Sequence, residues 1–131
     1  MTSQTIPPTD LPTIIAAGGT VIDVRTPAEF KSAHVVGAVL HPLDQLNAAT
    51  YCLHNGANTP VYILCQSGKR AGIAARQLIA AGHTQAIVVA GGTLAAIDAG
   101  IDITYGKDAI SLERQVRIAA GLLVLCGTLA G

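Results

Sequence analysis

Four short runs of this chain are almost continuously apolar: Thr20–Val24, interrupted only by Asp23, then Val35–Leu40, Val61–Leu64 and Ala86–Val89. Each is too short for a helix and rich in β-branched residues, which marks a strand. None alternates apolar with polar, so each is expected to be covered on both faces, as in a parallel sheet. The segments between them carry helical spacing. Thr9 is placed to cap a helix over about 10–17 that Gly18-Gly19 stops. Thr26-Pro27-Ala28-Glu29 reads as a capping box, with Thr at the N-cap, Pro at the first helical position and Glu at the third. It predicts a short helix of roughly two turns. Further helices are expected at Leu43–Ala49, at about 70–81 and at 93–99. Strands alternating with helices predict an α/β layer fold with a largely parallel sheet. Ligands of such folds sit at the C-terminal strand edge, where Asp23 and Cys65 both fall.

Size and charge narrow the classes. The 131 residues suffice for one domain with its own core, half of them are apolar, and the formal net charge is zero. A neutral chain without Trp offers neither the basic surface nor the stacking platforms of a nucleic-acid binder. The three cysteines, Cys52, Cys65 and Cys126, are odd in number and far apart. With a start that has neither a basic n-region nor an apolar h-region, they read as reduced thiols in the cytoplasm.

Cys65-Gln66-Ser67-Gly68-Lys69-Arg70 is the stretch that carries chemistry. It joins a buried strand to a helix N-terminus, whose unpaired N–H groups and partial positive charge favour a thiolate. Lys69 and Arg70 add full positive charge, and Gly68 permits the positive φ that curls N–H groups into an anion nest. The pattern is that of a nucleophile, Cys65, in an anion cradle formed by Gln66, Ser67, Gly68, Lys69 and Arg70.

This loop resembles the active-site loop of single-domain rhodaneses, the thiosulfate:acceptor sulfurtransferases. Three further segments resemble that family in the same order: Val21-Ile22-Asp23-Val24-Arg25-Thr26-Pro27-Ala28-Glu29-Phe30, Ala33-His34-Val35-Val36-Gly37-Ala38, and Ala90-Gly91-Gly92-Thr93. The likeness runs from about residue 5 to residue 105, giving a domain at 1–105. It implies a three-layer fold with a mainly parallel five-stranded sheet. It also implies a ping-pong reaction through a Cys65 persulfide, with Lys69 and Arg70 binding the sulfur donor and a thiol or cyanide accepting the sulfur. The chain departs from the family at Ala96, where Trp is common, at Asp102, where Pro is common, and at Ser32-Ala33, where a small residue and Gly precede the His. These changes touch packing and the rim of the site rather than the nucleophile.

Rival chemistries fare less well. Cysteine-dependent phosphatases place Arg six positions after Cys; here Arg70 is five after Cys65 and position 71 is Ala. The shorter loop suits a sulfur atom better than a phosphoryl group. A non-enzymatic sulfur carrier or thiol-sensing module remains the alternative. Asp23 is expected to order the loop rather than act as a base, since an ionised thiol needs none. Arg25 and Glu29 are expected to form a structural ion pair. His34, His41, His54 and His83 show no metal-ligand spacing, and Cys52-x-His54 with Cys65 lacks a fourth ligand, so no metal is expected. His34 reads as structural and Cys52 as a core thiol, a resolving role being the lesser alternative. Without a Walker A or G-x-G-x-x-G sequence, no nucleotide cofactor is expected.

The C-terminal stretch 106–131 reads separately. Residues 107–117 are amphipathic and 118–131 carry no charge. Fourteen residues rise about 21 Å as a helix, short of a ~30 Å hydrocarbon core. The segment resembles the start of the membrane part that follows the rhodanese domain in a bacterial inner-membrane family, as though the chain were a truncated form. On that reading Lys107, Arg114 and Arg117 put the domain on the cytoplasmic face of the inner membrane. Gly127-x-x-x-Gly131 matches a membrane helix-packing motif, a weak signal in a glycine-rich tail. A helix docked on the domain, or pairing two copies into a homodimer, is the other expectation.

Overall fold

The computed structural model describes residues 4–56 and 58–106. The amphipathic and apolar stretches of the C-terminal segment, with the membrane and dimer expectations placed on them, lie outside the described residues. Among the described residues, no helix is long and apolar enough to cross a membrane.

Five strands form one sheet, every pairing in it parallel: β1 (Gln4–Ile6), β6 (Ala86–Val89), β5 (Val61–Leu64), β2 (Thr20–Asp23) and β4 (Val39–Leu40), in that spatial order. The most apolar strands, β5 and β6, lie inside the sheet with β2. Neighbouring residues of one strand serve opposite faces. Ile22 and Ile63 pack with Ala71, Ala74 and Leu78 of α4 (Lys69–Ala80) and with Tyr51 of α3 (Ala48–Asn55). Val21 and Leu64 pack with Leu11 of α1 (Leu11–Ala16) and Ala96 of α5 (Gly92–Asp98) on the other side. Burial on both faces is the reason the strands read as continuous apolar runs. The result is the three-layer α/β arrangement with a five-stranded parallel sheet flanked by helices.

Several elements differ from the sequence reading. The strand expected over Val35–Leu40 is two. Ala33–Val35 (β3) pairs antiparallel with Ile103–Tyr105 (β7) in a separate two-stranded sheet, and only Val39–Leu40 joins the main sheet. A turn at Gly37 separates them, and a continuous apolar run conceals such a break. The helix expected over Leu43–Ala49 is a 3-10 turn at Leu43–Gln45 followed by α3, which begins where the Asn47 side chain accepts the Thr50 N–H at 3.0 Å. Thr9 lies within a 3-10 turn, and Asp10, not Thr9, precedes α1 without a side-chain cap. β1 was not expected at all, because three edge residues carry no periodicity. By contrast, the capping box at Thr26 opens α2 (Pro27–Ser32) with both of its reciprocal bonds.

Candidate active site

Cys65 follows β5 at the C-terminal edge of the sheet and is 1% exposed. Its Sγ accepts a hydrogen bond from the Gly68 N–H at 2.9 Å. Gly68 precedes α4 at φ 106°, a left-handed conformation that L side chains rarely adopt. That φ turns the chain into the helix while the Gly68 N–H faces the sulfur, and the Gly68 carbonyl accepts the Gly72 N–H at 3.1 Å. One glycine thus closes the loop and opens α4.

The outside of the loop is held by α5. The Thr93 N–H donates to the Cys65 carbonyl at 2.8 Å, and the Leu94 N–H donates to the Gln66 carbonyl at 3.2 Å. These are first-turn N–H groups, which have no partner within their own helix. The clasp requires very close approach. A Cβ on Gly92 would collide with the Cys65 carbonyl oxygen and lie 2.8 Å from the carbonyl carbon and oxygen of Gln66. The sequence reading gives Gly92 and Thr93 no role beyond a motif; the signal for the clasp is the pair of glycines at a helix start.

Asp23 and Arg25 form a buried pair, 0% and 3% exposed. Arg25 donates through Nε to Asp23 Oδ1 at 3.0 Å and through Nη2 to Asp23 Oδ2 at 2.8 Å. Nη2 also reaches the Ala33 carbonyl at 2.6 Å, and Nη1 reaches Gln66 Oε1 at 3.3 Å. The expected Arg25–Glu29 ion pair is therefore not formed. Arg25 turns inward to a carboxylate two residues away on its own strand end. The capping box points Glu29 back toward the start of α2, where Arg70 meets it bidentately at 2.7 and 2.9 Å.

Arg70 thus ties α4 to α2, and both partners are about one-third exposed. The Arg70 bonds, with the Thr26 backbone and hydroxyl bonds behind them, lower the Glu29 carboxyl from 4.5 to about 2 against the opposing effect of burial. Glu29 raises Arg70 in turn. Because the folded value lies below the unfolded one, this stabilisation is complete above about pH 4.5 and is lost as pH falls toward 2. Solvent screening at so exposed a pair holds the effect to about 1 kcal/mol. Urea midpoints measured across that window should fall less steeply for Glu29→Gln than for the native chain; parallel slopes would show that the pair contributes nothing.

Of the other residues placed in the cradle, Ser67 and Lys69 are exposed, and among the described residues Lys69 has no acidic partner. Gln66 is half-buried against Arg25. His34 stacks on Phe30 with ring centroids 3.8 Å apart and reaches the Phe30 carbonyl through Nδ1 at 2.8 Å, so it packs α2 onto β3. Cys52, on α3, packs against the core cluster that contains Cys65. Among the described residues, no three His, Cys, Asp or Glu side chains come together as a metal site.

The family model for the Rhodanese-like domain matches residues 7–98. This chain belongs to the rhodanese-like domain family. A Synechocystis protein described only as uncharacterized, slr1261, is 43% identical over 112 residues, covering 85% of this chain and 62% of that one. The chain therefore spans less than two thirds of that relative's length. The rhodanese-like domain of the Anabaena protein Alr3790 superposes with a TM-score of 0.71 at 19% identity, covering 95% of each chain, a likeness of fold alone. A thiosulfate sulfurtransferase from Pseudomonas aeruginosa superposes with a TM-score of 0.65 at 27% identity, over 79% of this chain and 20% of that one. Within this rhodanese-like domain, Ala96 is fully buried against α1 and the sheet, so the small residue is accommodated in the core.

Proposed function

We propose that this rhodanese-like domain is a sulfurtransferase in which Cys65 carries sulfane sulfur from a thiosulfate-like donor to a thiophilic acceptor. Family membership and the thiosulfate sulfurtransferase among its structural neighbours support a role in sulfur transfer. The observation that carries the assignment to Cys65 is the Gly68 N–H aimed at its sulfur at 2.9 Å, in a loop whose first two carbonyls, of Cys65 and Gln66, are held by α5.

In the loading step the Cys65 thiolate attacks the outer sulfur of thiosulfate. A Cys65–S bond forms, the donor S–S bond breaks, and its electron pair leaves with sulfite. The loop N–H groups, with that of Gly68 foremost, stabilise the anionic persulfide without reorganising. Exposed Lys69, and Ser67 as a hydroxyl donor, draw the anionic donor to the loop. Arg70 serves differently from the expected direct contact: held by Glu29, it fixes the loop's end against α2. The same engagement weighs against a phosphatase, which needs its loop arginine on the substrate. The donor and acceptor are small molecules on this reading, and no cofactor takes part.

Intact mass after thiosulfate treatment and donor removal tests the proposal. The native chain should gain one sulfur atom that cyanide discharges, and Cys65→Ser should gain none. A gain that cyanide cannot remove would favour a dedicated sulfur carrier, and no gain on the native chain would sink the thiosulfate reading.

A further inference from the structure

A cleft of about 370 Å³ lies between α2, the start of β3 and α5, and the loading step does not use it. Ala28, Ala33, Leu94 and Ile97 give it apolar walls; Leu94 and Ile97 lie three residues apart on one helix face and are 51% and 39% exposed. Arg25, Gln66 and Thr93 give it a polar floor. Thr93 is 1% exposed, and its hydroxyl has no hydrogen-bond partner among the described residues. A buried hydroxyl left unpaired is costly, and a valine of the same shape would avoid the cost. Gln66 Oε1 is taken by Arg25 at 3.3 Å, which leaves the two N–H donors of its amide for the cleft. The adjacent carboxylates are both engaged, Asp23 by Arg25 and Glu29 by Arg70. What remains is a set of donors beside an apolar wall, suited to a short carbon skeleton bearing a carbonyl-type oxygen. The floor is one residue from the nucleophile, since Gln66 follows Cys65 and the Thr93 N–H holds the Cys65 carbonyl.

We propose that this cleft seats the organic thiol that accepts sulfur from Cys65, with a carboxylate or carboxamide oxygen of the thiol on Thr93 Oγ1 and the Gln66 amide. The inference rests on the persulfide reading of Cys65. In the step it serves, the anionic persulfide left by loading takes one proton from water to become Cys65–S–SH, and the acceptor thiolate attacks its outer sulfur. A new S–S bond forms, the bond to Sγ breaks, its electron pair returns to Cys65 as thiolate, and the proton stays on the transferred sulfur.

The test charges the native chain with thiosulfate, removes the donor, and compares discharge by 3-mercaptopropionate, 3-mercaptopropionamide and 1-propanethiol. Each rate is taken per thiolate and divided by the cyanide rate of the same variant, so any change in the persulfide itself cancels. One or both of the carbonyl-bearing thiols should exceed propanethiol, and the pair distinguishes an acid from an amide acceptor. Loss of one hydrogen bond in Thr93→Val or Gln66→Met should lower that advantage about three- to tenfold. Equal rates for all three thiols, or an advantage that neither variant moves, would overturn the proposal. A separate titration uses the S-methyl derivatives, which cannot react, and follows the amide resonances of Leu94 and Ile97. Saturable shifts that weaken in Thr93→Val would support the cleft even if Cys65 failed to load, so the failure of one reading is distinguishable from the failure of the other. Absence of shifts with both derivatives would overturn the cleft alone.

Discussion

Gly92→Ala should destabilise the fold by about 3 kcal/mol or more and abolish sulfur loading at Cys65. The new Cβ would collide with the Cys65 carbonyl oxygen and press on the Gln66 carbonyl, and all of these atoms are backbone, so no side-chain rotation relieves the overlap. The residue also sits at φ 61°, where alanine adds roughly 1 kcal/mol of strain. Relief requires α5 to withdraw, which breaks the Thr93 and Leu94 bonds that hold the loop. The control is Gly18→Ala, at φ 84° with nothing within 4 Å of the added carbon, which carries the conformational strain without the collision. Denaturant unfolding of both variants isolates the packing effect. If Gly92→Ala and Gly18→Ala lose the same stability, α5 does not clasp the loop as described.

Asp23→Leu should cost about 3–5 kcal/mol, because it leaves the Arg25 guanidinium buried without its carboxylate. Arg25 is 3% exposed and would keep only the Ala33 carbonyl and the Gln66 amide as acceptors. Arg25→Met alone should be nearly as harmful, since it strands a carboxylate that is 0% exposed. The double variant should regain much of the loss, as two apolar side chains pack where a desolvated ion pair stood. Measured stabilities of the four chains form the cycle, and additive losses in the double variant would show that the two residues do not act as a pair. Loading should fall in both single variants, because Arg25 also anchors Gln66 in the loop.

The layer architecture was legible because it is governed by local patterns. Val61–Leu64 and Ala86–Val89 are buried on both faces of a parallel sheet, and that burial writes itself as unbroken apolar runs. The capping box at Thr26 was legible for a similar reason, as its reciprocal bonds span three residues. The loop from Cys65 to Arg70 was legible as a cysteine between a buried strand and a helix start through residue types alone. The split of Val35–Leu40 was not legible, because Val35 joins β7 some seventy residues away, and no property of the run itself distinguishes its two partners.

The sequence by itself determined the alternation of strands and helices, the placement of Cys65 at a strand end before a helix, and the positive φ open to Gly68. These follow from side-chain burial and backbone sterics within a few residues. Only the tertiary structure decided which charges meet: Arg25 with Asp23, and Glu29 with Arg70. It alone brought α5 onto the loop and left the Thr93 hydroxyl without a partner among the described residues, beneath a cleft. Ion pairs and clasps of this kind depend on distances between segments far apart in the chain. A sequence pattern carries such distances only when the close approach demands a special residue, as it does at Gly92.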